Sequence, residues 1–152
     1  MRLTLVLALV LATTFLTGCK ESNPFGTVYV EGIVTLDGTP VAGCSVTLAP
    51  ADGGMAAGGL TDTSGKFTVT TGGAPVGSGA KPGRYDVTFF KTKMEGSELS
   101  MEEAARQFGG RQPTMQYIVP QKYGNSKTSD IDPITVSAKK ADNKFTFELL
   151  SQ

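Results

Sequence analysis

Short runs in which every second residue is apolar recur along this chain, and most end at glycine, proline or aspartate. In the first, Val28, Val30, Gly32, Val34 and Leu36 share one face, with Tyr29, Glu31, Ile33 and Thr35 opposite. Asp37-Gly38 reads as a hairpin turn, and Pro40 fixes its exit. Cys44, Val46 and Leu48 then alternate with Ser45, Thr47 and Ala49 as far as Pro50. A Gly-rich run from Met55 to Thr61 has the composition of a weak strand suited to an edge or a bulge. Asp62-Thr-Ser-Gly65 predicts the next reversal. The aspartate side chain accepts from backbone N–H groups two residues on, and Gly65 takes a positive φ without cost. Phe67, Val69 and Thr71 resume the period of two beyond it. After a mobile Gly- and Pro-rich loop at 72–83, Tyr85, Val87 and Phe89 mark another core-facing strand. Tyr117-Ile-Val-Pro120 is extended, and 121–129 is a polar crossing. Ile134-Thr-Val136 and the alternating Phe145, Phe147 and Leu149 close the chain.

Between Lys93 and Gln116 the period changes. Met101, Ala104, Ala105 and Phe108 fall on one face of a helix, Ser100 with Glu103 fits a capping box, and Gly109-Gly110 is a stop signal. A helix this short needs Met101 and Phe108 docked on the body of the domain. Such a segment either covers a sheet edge or offers a partner a contact, and edge cover is the commoner use. Together these elements predict an all-β Greek-key sandwich of about seven strands with one short helical insertion, occupying residues 28–152.

The amino terminus has a different character. Met1-Arg2 precedes an apolar run from Leu3 to Phe15, shorter than the roughly 20 residues that span a bilayer. That is the form of a secretory signal peptide. The run ends Leu16-Thr17-Gly18-Cys19, which resembles the lipobox of bacterial lipoproteins. The resemblance implies cleavage after residue 18 and a diacylglyceryl thioether on Cys19. Residues 1–18 are then leader, 19–27 a lipidated tether, and the mature protein is a membrane-anchored lipoprotein of the cell envelope. Several acyl chains, each contributing about 0.8 kcal/mol per buried methylene, hold far better than one. Some inner-membrane lipoproteins carry an Asp directly after the lipidated cysteine. Lys20 stands there instead, which favours the outer membrane.

Composition narrows the chemistry. About 134 residues remain after the leader, enough for one domain. The full chain has 14 Lys+Arg and 14 Asp+Glu, so it has no electrostatic footprint for nucleic acid. It contains no His, the commonest general base and metal ligand, and no Trp, the strongest stacking platform. With Cys19 acylated, Cys44 has no thiol partner, so neither a disulfide nor a metal cluster is expected, and no cofactor. Asp130-x-Asp132 places two carboxylates together, but no calcium loop follows. Asp37 and Asp62 are explained as turn residues, and Asp52 lies in a loop. Ser64 and Ser78 sit in Gly-rich turns with no base nearby in sequence, and Gly77-Ser-Gly79 lacks the helix that a phosphate loop precedes. Tyr29, Tyr85, Tyr117 and Tyr123 are candidates for a groove, with core packing as the default.

Three segments carry a likeness: residues 30–46, from Val30-Glu-Gly-Ile-Val to Gly-Cys-Ser-Val46; Gly59-Leu-Thr-Asp-Thr-Ser-Gly-Lys-Phe67; and Pro82-Gly-Arg-Tyr-Asp-Val87. They resemble the carboxypeptidase regulatory-like domain, a transthyretin-like sandwich. Val119-Pro-Gln-Lys-Tyr123 with Thr128-Ser129 is similar to small bacterial lipoproteins that carry this domain. The resemblance implies a fold and no activity, since these are turn and core residues. Cys44 stands where the family more often has Ala, which implies a buried small residue. A transthyretin-like hydroxyisourate hydrolase needs histidines and a Tyr-Arg-Gly-Ser-type ending, both missing here. Carboxypeptidases keep their zinc in a separate domain. The expected function is a non-catalytic, lipid-anchored envelope module with a structural or protein-contact role. The alternatives are a glycan- or peptide-binding module and, last, a carboxylate-based hydrolase, for which a single small sandwich leaves little room for a cleft.

Overall fold

Where alternation is longest, the strands follow it. The computed structural model describes residues 23–152, so the leader and Cys19 lie outside the described residues. In chain order the elements are β1 (Glu31–Leu36), β2 (Thr39–Pro40), β3 (Ser45–Pro50), β4 (Ala57–Leu60), β5 (Lys66–Thr68), β6 (Thr70–Thr71) and β7 (Gly83–Phe90). β8 (Thr92–Met94), α1 (Met101–Phe108), β9 (Met115–Tyr117), β10 (Ile134–Val136) and β11 (Lys144–Leu149) complete them. The fold is all-β, with eleven strands against about seven expected.

The surplus comes from strands that break to change partners. β5 pairs with β1 in the smaller sheet, whereas β6, one residue further on, pairs with β4 in the larger. The run from Lys66 to Thr71 therefore turns a corner between the two sheets at Val69, which is fully buried. The smaller sheet has the order β11-β1, with β2 and β5 both on the far side of β1. The larger runs β10-β7-β3-β4-β6. Between strands all pairings are antiparallel except that of β1 with β11, where Val34 stands opposite Phe147; an isolated parallel bridge joins Thr70 to Gly79. β4 thus lies between β3 and β6 and is not the free edge its glycines predicted. Loop 72–83 is tied down as well: Gly79 N–H reaches Val69 O at 2.9 Å, and Thr70 Oγ1 accepts from Gly77 N–H at 2.8 Å.

The two sheets meet through one continuous core. Val30, Val34, Phe67, Phe147 and Leu149 from the smaller sheet pack against Val46, Leu48, Val87 and Phe89 from the larger. Phe147 is central, 4.9 Å from Phe89 and 6.2 Å from Phe67 between ring centroids. Phe67 stands opposite Gly32 on the neighbouring strand. A Cβ at Gly32 would lie 2.7 Å from the Phe67 ring, so the ring takes the space that a side chain would need. The Asp62 turn forms as its sequence predicts, with Oδ1 accepting from Ser64 N–H at 2.8 Å and Lys66 N–H at 3.0 Å. Cys44 is fully buried, and burial pushes its thiol pKa up.

Phe67→Ala should cost about 3–5 kcal/mol in urea titrations, and Gly32→Ala about 1–3 kcal/mol by overpacking. Thr68→Ala, on the exposed face, should cost less than about 1 kcal/mol. Equal losses at positions 67 and 68 would show the faces assigned the wrong way round.

Candidate interaction surface

β7 does not stop where the sandwich does. After Lys91 it continues as β8, which pairs with β9 to make a two-stranded ribbon, Thr92 opposite Tyr117 and Met94 opposite Met115. Lys91 O accepts from both Ile118 and Val119 N–H, the local crowding of a bulge where the ribbon leaves the sheet. Alternation puts Met94, Met115 and Tyr117 on one face of the ribbon, where the Tyr117 ring meets Phe90 edge-on at 6.1 Å. Phe90, Met94, Met115 and Tyr117 are each about half exposed. Beside them is a cleft of about 540 Å³ lined by Phe90, Tyr117, Pro120, Lys122, Asn125 and Thr128.

The opposite face of the ribbon carries Lys93 and Gln116, and these border a small hollow shared with Glu98, Leu99 and Gln107. Helix α1 is therefore on that side. Its ends are as the sequence predicts: Ser100 Oγ accepts from Glu103 N–H, Glu103 Oε2 accepts from Ser100 N–H, and Gly109 closes the helix in the left-handed region. Its docking differs. Met101 is 92% exposed, and only Phe108 is buried. No helix residue joins the sandwich core. Phe108 packs instead within the insertion, against Gly96 and Leu99, with Arg111 over its ring at 5.3 Å. The sequence expects Met101 and Phe108 both to dock on the sandwich and reads residues 93–116 as edge cover before contact, whereas Met101 is exposed and the ribbon face of Met94 and Met115 is left bare.

One carboxylate locks the insertion shut. Glu95 accepts a bidentate pair from Arg111 at 3.0 and 3.3 Å, and the hydroxyl and N–H of Thr114 at 2.8 and 3.3 Å. The Arg111 guanidinium and the Thr114 donors hold its pKa down at about 2. The floor of the cleft is fixed by a single turn of 3-10 helix at Gln121–Gly124. Tyr123, in the segment read as a polar crossing, is instead fully buried, and its oxygen accepts from Leu150 N–H at 2.9 Å. Thr128 Oγ1 donates to Lys122 O at 2.8 Å.

The other candidate residues stay apart. Asp130 pairs with Lys122 at 3.1 Å, which lowers the aspartate pKa and raises that of the lysine. Asp37 accepts from Ser151 N–H, and Asp62 serves its turn. Asp52 lies at the far end of the sandwich. Ser64 donates to Asp62, and the Ser78 hydroxyl is buried without a protein partner. Among the described residues no three Cys, Asp or Glu side chains gather as a metal site. Every carboxyl whose pKa moves is moved down, by hydrogen bonds to its neighbours. Tyr85 is buried, and Lys140 covers the Tyr29 ring at 4.5 Å. Tyr29 borders a groove of about 710 Å³ over the outer face of the smaller sheet, but its hydroxyl is already bonded to Glu31. Tyr117 is the tyrosine left open. Asn143 was not anticipated at all. It is fully buried, taking Ser137 N–H at 2.7 Å and donating to Ser137 O and Tyr29 O.

No family model, curated protein or solved structure matches this chain.

Glu95 has a folded pKa below its ordinary value of 4.5, so its contribution is complete above about pH 4.5 and is lost as pH falls through about 2. Carboxyl NMR should give a midpoint near 2, and Glu95→Gln should speed exchange of the Thr114 amide at neutral pH. A midpoint near 4.5 would mean the lock is not formed in solution.

Proposed function

We propose that the mature protein is a lipid-anchored module of the cell envelope that acts by protein contact through its ribbon, without turning over a substrate. The observation that carries this reading is the bare face of Phe90, Met94, Met115 and Tyr117 on a ribbon whose other face, with Lys93 and Gln116, is turned toward the helical segment. A two-stranded ribbon is marginal in water unless something packs on it. Methionine and aromatic side chains together suit a protein partner, being adaptable and large. Anchorage rests on the lipobox-like sequence ending at Cys19, and an outer-membrane location on Lys20. The carboxyl groups support a non-catalytic reading, since a glycosidase acid needs a raised pKa and the displaced ones here are lowered. We assign the sandwich to the carboxypeptidase regulatory-like, transthyretin-like type. Two sheets joined by a buried aromatic core are compatible with that assignment.

Two experiments test this reading. Cys19→Ser should abolish acylation of the mature protein and its partition into detergent, read by mass spectrometry and phase separation. Unchanged partitioning would refute the anchor. For the contact, a photo-crosslinking residue at Met94 or Met115 should give a discrete protein adduct in intact cells. The same probe at Thr146, on the outer face of the smaller sheet, should give none. Because Thr92 and Tyr117 face each other, replacing 93–116 with a two-residue turn should leave a folded sandwich and remove the adduct that a probe at Phe90, which the replacement retains, gives in the intact protein. Absence of any adduct from the ribbon positions would overturn the contact reading, and an adduct of twice the protein's own mass would make the partner a second copy.

A further inference from the structure

We propose that the end of the sandwich from which the tether emerges rests on the bilayer surface, so that the ribbon is held away from the membrane. This placement rests on the lipid anchorage proposed above. Reach sets the first limit. Cys19 is four residues before Asn23, and a fully extended chain of that length spans at most about 14 Å. Pro24 and Phe25 already lie against the body of the domain, bordering a hollow of about 400 Å³ with Asp52, Met55, Lys81 and Arg84. An acylated Cys19 would therefore bring this end within one headgroup layer of the acyl chains.

The side chains at this end suit such a surface. Met55 is 61% exposed and Val76 97% exposed. Met55 borders the hollow and touches the loop at Gly72, and Val76 belongs to that loop, which leaves Thr71 and returns at Gly79. Phe25 is half-buried next to them. Lys81 and Arg84 are exposed on the same rim and outnumber the one acid, Asp52. Apolar side chains ringed by cations are the pattern of a protein lying at the headgroup boundary of an anionic membrane.

The opposite end follows from β7. Gly83 starts at the tether end, Phe90 ends where the ribbon begins, and β8 extends the same path to Met94. At about 3.4 Å per residue this path puts Met94 at most about 37 Å from Gly83, less the shortening where the bulge bends it. A short tether and a contacting end would then fix which way the Met and aromatic face points.

The chain has no Trp, so single tryptophans report position without interference. The acylated full-length mature protein would carry Met55→Trp, Val76→Trp, Met94→Trp or Met115→Trp in vesicles of phosphatidylethanolamine and phosphatidylglycerol, with or without a bromolipid. Met55→Trp and Val76→Trp should lose about half of their emission to the bromolipid, as expected for groups seated about 5–10 Å into the headgroup boundary. Met94→Trp and Met115→Trp should be unaffected. Vesicle flotation of the same samples reports anchorage separately. Protein that floats without quenching at positions 55 and 76, or with equal quenching at all four, overturns the placement while leaving the anchor intact. Protein that does not float overturns the anchor and the placement with it. Lys81→Glu combined with Arg84→Glu should reduce quenching at position 76 with flotation unchanged, and quenching unaffected by the charge reversal would overturn the role given to the two cations.

Discussion

The Phe67 ring lies where a side chain at position 32 would stand, and from there it stacks on Phe147, which meets Phe89 of the other sheet. That chain of rings ties the two sheets together, and much of the surrounding geometry serves it. The Asp62 turn presents Gly65, whose carbonyl accepts from Val34 N–H at 2.9 Å beside the pair of Phe67 and Gly32. One residue past β5 the backbone leaves for the larger sheet, which brings Thr68 O against β4. A Cβ at Gly59 would collide with that oxygen, so Gly59 is where the corner passes over β4. Thr61 secures the other end of the same strand, its hydroxyl accepting from Cys44 N–H at 2.7 Å and donating to Val41 O. Gly32 of β1 and Gly59 of β4 are thus the space that the aromatic core and the corner require.

Local patterns were legible and long-range pairings were not. Tyr85, Val87 and Phe89 alternate within one unbroken strand, and the Ser100–Glu103 box needs only a single helical turn, so both follow from sequence. The corner at Val69 leaves no such trace, because alternation continues through it while the hydrogen-bonding partner changes. The same holds for β1 and β11, parallel neighbours from opposite ends of the domain. Asn143 and Tyr123 sit in polar segments, and only the backbone groups they meet, from Tyr29 and Leu150, explain their burial. The insertion was visible as a change of period, but its outward face was not. Helical period shows that Met101 and Phe108 share a side, and it cannot show that only Phe108 finds a pocket. The ribbon face needs the register of two three-residue strands, too short for a period to be seen.

The distribution of charge separates stiffness from recognition. Glu95, Glu103, Asp62 and Asp130 each hold a turn, a cap or a partner, so these four acids are already occupied by their neighbours. What is left unsatisfied at the ribbon is apolar. Exposed methionines and aromatics on a floppy hairpin would invite promiscuous association, because any partner would also have to order the chain.

Here the ordering is done in advance. The Glu95 lock, the Ser100 cap and the Phe108 pocket hold the segment between β8 and β9 against the polar face of the ribbon, and the bulge at Ile118 sets its departure from β7. A rigid presenter loses little conformational entropy on binding, so a few half-exposed side chains suffice where a disordered loop would need a larger interface. The helix lies in a segment that the sequence reads first as edge cover and second as a contact, and it covers no part of the sandwich core. Its one buried residue, Phe108, packs locally beside Gly96, and the β8–β9 register is what gathers Met94, Met115 and Tyr117 onto one face.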